Sequence, residues 1–155
     1  MFPGSFDPFH NGHLEVVERA SRHFERVVVA LLHNPQKAEN MFSVKEREEM
    51  LTECLRRFDN VELVAMSTLV VDVARAVGAD VIVKGLRAVS DFENEFQMAQ
   101  MNEQISGIDT LLIPTGSTYS FIASRLIREI ARFGGDVSAF VPESVALRIK
   151  EHFSD

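Results

Sequence analysis

Residues 2–13 read Phe2-Pro3-Gly4-Ser5-Phe6-Asp7-Pro8-Phe9-His10-Asn11-Gly12-His13, and behind them Leu14, Val17, Ala20 and Phe24 recur at helical spacing. The β-branched run Val27–Leu32 follows. A Gly/Pro-rich loop running straight into an amphipathic helix and then a strand is one period of a βα repeat. Helix N-termini attract anions, because their first amides lack intrahelical partners and the helix dipole is positive there. Gly4 and Gly12 let the backbone approach a ligand, while Pro3 and Pro8 stiffen the loop. A turn whose histidines merely cap a helix would also fit His-x-Gly-His alone. With Pro-Gly-Ser-Phe-Asp-Pro ahead of it, the stretch predicts an anion site at which His13 donates to charge developing on phosphorus.

Outward from that loop the alternation continues. Val61–Ala65, Asp80–Val83 and Thr110–Ile113 read as further strands, nearly continuous in apolar residues as strands covered on both faces are. Helices are predicted over 13–24, from the capping box Ser43-Val44-Lys45-Glu46 through Phe58, over 69–77 before Gly78, over 91–105 and 121–133, and from Pro142 through Phe153. The expected fold class is α/β: a single Rossmann-like, doubly wound domain over residues 1–155 with a five-stranded parallel sheet. Only Met1 and Phe2 precede the loop, whereas a central strand needs about five residues. The first strand is therefore expected to be incomplete at the N-terminus.

Hydrophobic residues at 46% and charged residues at 25% have the balance of a globular protein with a substantial core. The chain has no apolar run of membrane-spanning length and no charged-then-apolar leader, so the expected location is cytoplasmic, with no membrane partner. Cys54, the single cysteine, falls on the apolar side of a predicted helix and reads as a buried thiol. A net charge of −7 argues against nucleic acid as a partner. A site for anionic substrates must then be built from individually placed cations.

In doubly wound folds the ligand lies at the carboxyl ends of the strands. Three more post-strand segments carry unusual residues. His33-Asn34-Pro35-Gln36-Lys37 puts a lysine in a loop, which alone could be a solvated charge. Lys84-Gly85-Leu86-Arg87 places two cations beside a glycine, and Asp91 and Glu95 follow on one helical face. That block is compatible with an ordinary turn before an acidic first helical turn, or with a polyphosphate site. Thr118 through Arg125 supplies hydroxyls at a helix start, either as N-caps or as a second anion cradle.

Taken together, Pro-Gly-Ser-Phe-Asp-Pro, Asn-Gly-His13, Lys-Gly-Leu-Arg-Ala, Asp-Phe-Glu-x-Glu, Gln-Met-Ala-Gln-Met-Asn102, Tyr-Ser-Phe-Ile and Gly-Asp-Val-Ser-x-Phe-Val-Pro-Glu resemble, in order and spacing, the bacterial phosphopantetheine adenylyltransferases. These belong to the nucleotidyltransferases that share a His-x-Gly-His signature. The resemblance covers essentially the whole chain, and the middle block distinguishes this family from other adenylyl- and cytidylyltransferases. It implies reversible transfer of AMP from ATP to 4′-phosphopantetheine, giving dephospho-CoA and pyrophosphate with Mg²⁺ held mainly on the ATP phosphates, in the penultimate step of coenzyme A synthesis. It also implies a homohexamer, with coenzyme A as a feedback ligand.

Carried over by position, the resemblance makes His13, Lys37 and Arg87 catalytic. It places ATP against Ser5, Phe6, His13, Gly85, Leu86, Arg87, Glu95, Tyr119, Ser120, Phe121, Ile122, Ala123, Ser124 and Arg125. The acceptor falls to Ser5, Lys37, Leu69, Val70, Lys84, Met98 and Asn102, and no side chain is a metal ligand. Three positions depart from the pattern: His10 stands where close relatives usually have Thr, and Ala123 and Arg125 stand where serines are common. Rival expectations are a nucleotidyltransferase acting on nicotinate mononucleotide or an alcohol phosphate, and a non-catalytic nucleotide-binding module.

Overall fold

The computed structural model describes residues 1–33 and 40–154. Five parallel strands alternate with helices: β1 (Phe2–Gly4), α1 (Asn11–His23), β2 (Val27–Leu32), α2 (Val44–Leu55), β3 (Val61–Met66), α3 (Val70–Ala76), β4 (Val81–Leu86), α4 (Val89–Ser106) and β5 (Asp109–Pro114), followed by α5 (Ser124–Arg132) and α6 (Glu143–Ser154). β2 pairs with β1 on one side and β3 on the other, with Phe2 opposite Val29 and Val27 opposite Val61. β4 pairs with β5, Val81 opposite Asp109.

The ladders form a three-stranded and a two-stranded sheet rather than the single five-stranded one expected. Met1 bridges them: its backbone nitrogen donates to the Val81 carbonyl at 2.8 Å and its carbonyl accepts from Val83 N at 2.8 Å. The spatial order is therefore β3-β2-β1-β4-β5, and the chain reverses direction across the sheet between β1 and β4. Such a reversal opens a crevice at the strands' carboxyl ends, where ligands of this fold class bind.

Both faces of the central strands are covered, which explains their unbroken apolar character. Along β2, Val29 and Leu31 join a core with Val16 and Val17 of α1, Met50 and Leu51 of α2, Ile127 of α5 and Val145 of α6. Val28 and Ala30 point the opposite way, into a smaller cluster with Val73 and Ala74 of α3 and Ile82 of β4. Cys54 is buried and its sulfur lies 3.5 Å from Ser144 Oγ. The predicted capping box is present: Glu46 N donates to Ser43 Oγ at 3.2 Å and Ser43 N to Glu46 Oε2 at 2.8 Å.

Two boundaries differ in ways that matter for the site. β4 continues to Leu86, so Lys84 and Gly85 stand on the strand itself and inherit its rigidity. A Cβ on Gly85 would lie 2.9 Å from Val16 Cγ2, so this glycine is needed for α1 to pack on β4. α5 begins at Ser124, three residues later than the periodicity suggests, because Tyr119–Ile122 are turned by bonds such as Ser120 N to Gly116 O.

β1 leads into the least relaxed backbone described. Phe6 has φ 45°, a left-handed conformation that costs a residue with a Cβ about 1–3 kcal/mol. Its ring is 2% exposed and packs edge-on to Phe2 and Phe9, which holds it there. Gly4 makes the arrangement possible, since a Cβ at this position would lie 2.7 Å from the Phe6 ring. Gly4→Ala should therefore lower the unfolding free energy by about 1–3 kcal/mol, as overpacking in a filled core does, read as a lower urea midpoint. An unchanged midpoint would show that the Phe6 ring yields freely.

Candidate active site

The helix that follows the strained loop starts with an unusual cap. His10 is the N-cap of α1 and His13 is its third residue, and the two side chains satisfy each other's backbone. His13 N donates to His10 Nδ1 at 3.3 Å, and His10 N donates to His13 Nδ1 at 3.3 Å. The i, i+3 spacing is that of a capping box, with imidazoles in place of the usual hydroxyl and carboxylate. The rings stack with centroids 3.6 Å apart, and the edge of Phe6 and the face of Phe9 close around His13.

This geometry fixes the chemistry of both rings. A nitrogen that accepts an N–H bond carries no proton, so each neutral imidazole is protonated at Nε2. Burial pushes His13 well below its ordinary value, with His10, Arg87 and Lys84 adding to the effect. His10 is lowered to about 3, again chiefly by burial and then by Arg87. At neutral pH His13 thus offers one Nε2–H donor held in a fixed direction.

The cap also alters what α1 can give an anion. Asn11 N already donates to Phe140 O at 2.9 Å, and His13 N is taken by His10. Two of the first three amides are engaged, so of these Gly12 N is left beside the His13 ring as a donor at this helix start.

A cleft of about 520 Å³ opens between β1 and β4 at their carboxyl ends. Of the residues singled out from sequence, Ser5, Phe6, His13, Lys84, Gly85, Arg87, Glu95, Ala123, Ser124 and Arg125 line it. Its cations are paired. Lys84 Nζ lies 3.6 Å from Glu95 Oε2, and Arg87 Nε lies 3.1 Å from Asp91 Oδ2 while its Nη1 donates to the Ile122 carbonyl at 2.7 Å. Arg125, with its side chain 76% exposed, stands 3.7 Å from Glu129.

The remaining candidates lie elsewhere. Leu86, Tyr119, Ser120, Phe121 and Ile122 are not among the lining residues; Ile122 is in the core and Phe121 is exposed. Leu69 and Met98 are exposed outside the cleft, Val70 at the start of α3 is partly buried against the smaller core cluster, and Asn102 is partly buried on α4. Lys37 lies outside the described residues. The hydroxyl cradle expected near residue 124 is different in kind: α5 has no side-chain cap, Ser120 Oγ donates to Ser117 O at 3.3 Å, and Ser124 Oγ donates to Pro8 O at 3.0 Å.

Sequence reasoning passed over lining residues Val16, Asn94 and Thr115, and it gave His10 no partner. Only His10 had a readable signal, the three-residue spacing to His13. Glu15 was also missed; its carboxylate accepts from Gly116 N at 3.0 and 3.1 Å and holds the turn beyond β5.

Known proteins match this sequence along nearly the whole chain. The sequence profile of the cytidylyltransferase-like family aligns with residues 1–130. The phosphopantetheine adenylyltransferase of Frankia alni is 50% identical over 153 residues, which cover 96% of this chain and 94% of that protein. The enzymes of that name from Thermobifida fusca and Carboxydothermus hydrogenoformans are 47% and 44% identical, over 99% of this chain and 93% and 94% of their own lengths. By profile and by near-full-length identity, the chain belongs to the cytidylyltransferase-like family and, within it, to the phosphopantetheine adenylyltransferases.

Proposed function

We propose that this protein catalyses the reversible transfer of AMP from ATP to 4′-phosphopantetheine, forming dephospho-CoA and pyrophosphate, the penultimate step of coenzyme A synthesis. The relatives' names support the substrates. The observation that carries the chemistry is the fixed Nε2–H donor of His13 in a cleft that also holds Lys84 and Arg87.

The reaction needs no covalent enzyme intermediate, because an oxygen of the acceptor phosphate is already a nucleophile. It attacks the α-phosphorus of ATP, a new P–O bond forms, and the bond to the β-phosphate oxygen breaks in line, releasing pyrophosphate. Two like unit charges 4 Å apart repel by about 4 kcal/mol at an effective dielectric of 20, so cations must stand between the substrates. We assign that work to Lys84 and Arg87, with Lys37 on the acceptor side and Arg125 at the nucleotide phosphates. Their pairing with Glu95 and Asp91 keeps Lys84 and Arg87 aimed before substrate arrives. His13 donates from Nε2 to an α-phosphate oxygen as charge builds there, with no proton transfer required. Ser5 lies between the two substrates, and Phe6 shapes the wall on which His13 rests.

We place the nucleotide along Gly85, Leu86, Arg87, Glu95 and the 119–125 segment, and the pantetheine arm toward Leu69, Val70, Met98 and Asn102. Among the described residues no cluster of three or more metal-ligating side chains exists, and Asp91 and Glu95 are committed to cations. Magnesium would enter with ATP as the substrate complex, held by its phosphates, and would supply neutralisation of the charge on them. Exposed Phe92, Phe96, Met101 and Ile105 on α4, with Leu111 on β5, are the apolar surface we assign to subunit contacts in a homohexamer. Coenzyme A carries the product's nucleotide and pantetheine arm, which suits it to feedback at the same cleft. No helix of the described residues is long and apolar enough to cross a membrane, and we assign the enzyme to the cytoplasm.

The reverse reaction separates this reading from its nearest rivals. Dephospho-CoA plus pyrophosphate should yield ATP, and nicotinate adenine dinucleotide should not. ATP formed only from the dinucleotide, or from neither, would overturn the reading. His13→Ala should lower kcat by roughly 10²–10³-fold, as loss of a preorganised oxyanion donor does, with little change in ATP affinity. An unchanged kcat with a large loss of ATP binding would instead make His13 a ground-state nucleotide contact.

A further inference from the structure

Asp7 takes no part in the steps above, yet it is 3% exposed and sits where three functional segments meet. Its Oδ2 accepts from Met41 N at 2.8 Å and its Oδ1 from Phe42 N at 3.0 Å. Arg128 of α5 lies 3.8 Å from Oδ2 and also donates to the Asp7 backbone carbonyl. The neighbouring loop residues are tied in the same way. Ser124 of α5 donates to Pro8 O at 3.0 Å, and the buried Arg47 of α2 donates from Nη1 to Ser5 O at 2.8 Å.

A buried carboxylate is costly unless it is paired and hydrogen-bonded. Filling space between these segments would not require one. Accepting two consecutive backbone N–H groups while offsetting a guanidinium does, because a neutral amide has a single acceptor oxygen. Met41 and Phe42 are buried, 8% and 2% exposed, and in sequence they stand four and five positions after Lys37. The same carboxylate is two residues from Ser5 and six from His13, and through Arg128 it reaches the helix whose start lines the cleft.

We propose that Asp7 is a positioning residue that locks Met41 and Phe42 in register with the Ser5–Pro8 loop and α5, so that the acceptor phosphate meets the α-phosphorus in line. The inference rests on the adenylyl-transfer reading given above. In-line attack is sensitive to placement, and a misplacement of about 1 Å can cost roughly 10²-fold in rate.

Asp7→Asn preserves shape but leaves one acceptor oxygen for two N–H donors. It should lower kcat/KM for 4′-phosphopantetheine roughly 10–100-fold while the calorimetric Kd for MgATP stays within about twofold. Arg128→Gln, at a partly exposed position, should show the same split to a smaller degree. The double variant should be no worse than Asp7→Asn alone, because both act through one carboxylate. If Asp7→Asn does not fold, Arg128→Gln carries the test by itself, and wild-type acceptor kinetics in that variant overturn the proposal. Equal losses toward ATP and acceptor, or additive losses in the double variant, also overturn it. Wild-type enzyme that turns over no phosphopantetheine overturns the functional reading instead, and this inference with it.

Discussion

The reciprocal hydrogen bonds between His10 and His13 are the constraint on which the candidate site depends. Each imidazole closes the other's backbone amide, and the two rings stack within a wall of phenylalanines. The pair ends the strained loop, starts α1 and sets the tautomer of both rings in one stroke. An ordinary hydroxyl cap would have started the helix equally well. What it would not have given is a neutral imidazole with its single proton aimed away from the backbone.

The rest of the fold serves that pair. β1 is only three residues long, but it lies where the sheet reverses, and Met1 joins it to β4 by two backbone bonds. Lys84 therefore projects from a strand next to the loop, and Val16 of α1 rests against Gly85. The cleft's cations are balanced by Glu95 and Asp91 before any substrate arrives. An acidic protein thus keeps a cationic site in place without exposing bare positive charge, and substrate phosphates exchange one set of partners for another.

Much of this was legible in the sequence, for identifiable reasons. Val27–Leu32 was found to the residue because a strand buried on both faces is apolar at every position. The Ser43/Glu46 box was found because its chemistry is local. The apolar spacing of Phe121 and Ile122 predicts a helix from residue 121, whereas α5 begins at Ser124 because the backbone before it is turned by bonds to Gly116 O. The bond from Met1 to Val81, which ties the start of β1 to β4 across 80 residues, has no local signature either. The same distance effect hid the loop's supports: Asp7 to Met41, Arg47 to Ser5 and Arg128 to Asp7 span 34, 42 and 121 residues and leave no local pattern. Ser120 and Ser124 fit either caps or an anion cradle by residue type, and their bonds to Ser117 and Pro8 are tertiary contacts that no local pattern announces.

The central claim is that His13 acts as a neutral donor through Nε2, and long-range ¹H–¹⁵N correlation of the labelled enzyme reads it directly. Because its pKa is lowered, His13 should hold its proton on Nε2 and leave Nδ1 bare throughout roughly pH 5.5–7.5, the window in which an unperturbed histidine of pKa about 6.5 gains charge as pH falls. A proton on Nδ1 at neutral pH, or a titration midpoint inside that window, would contradict the account.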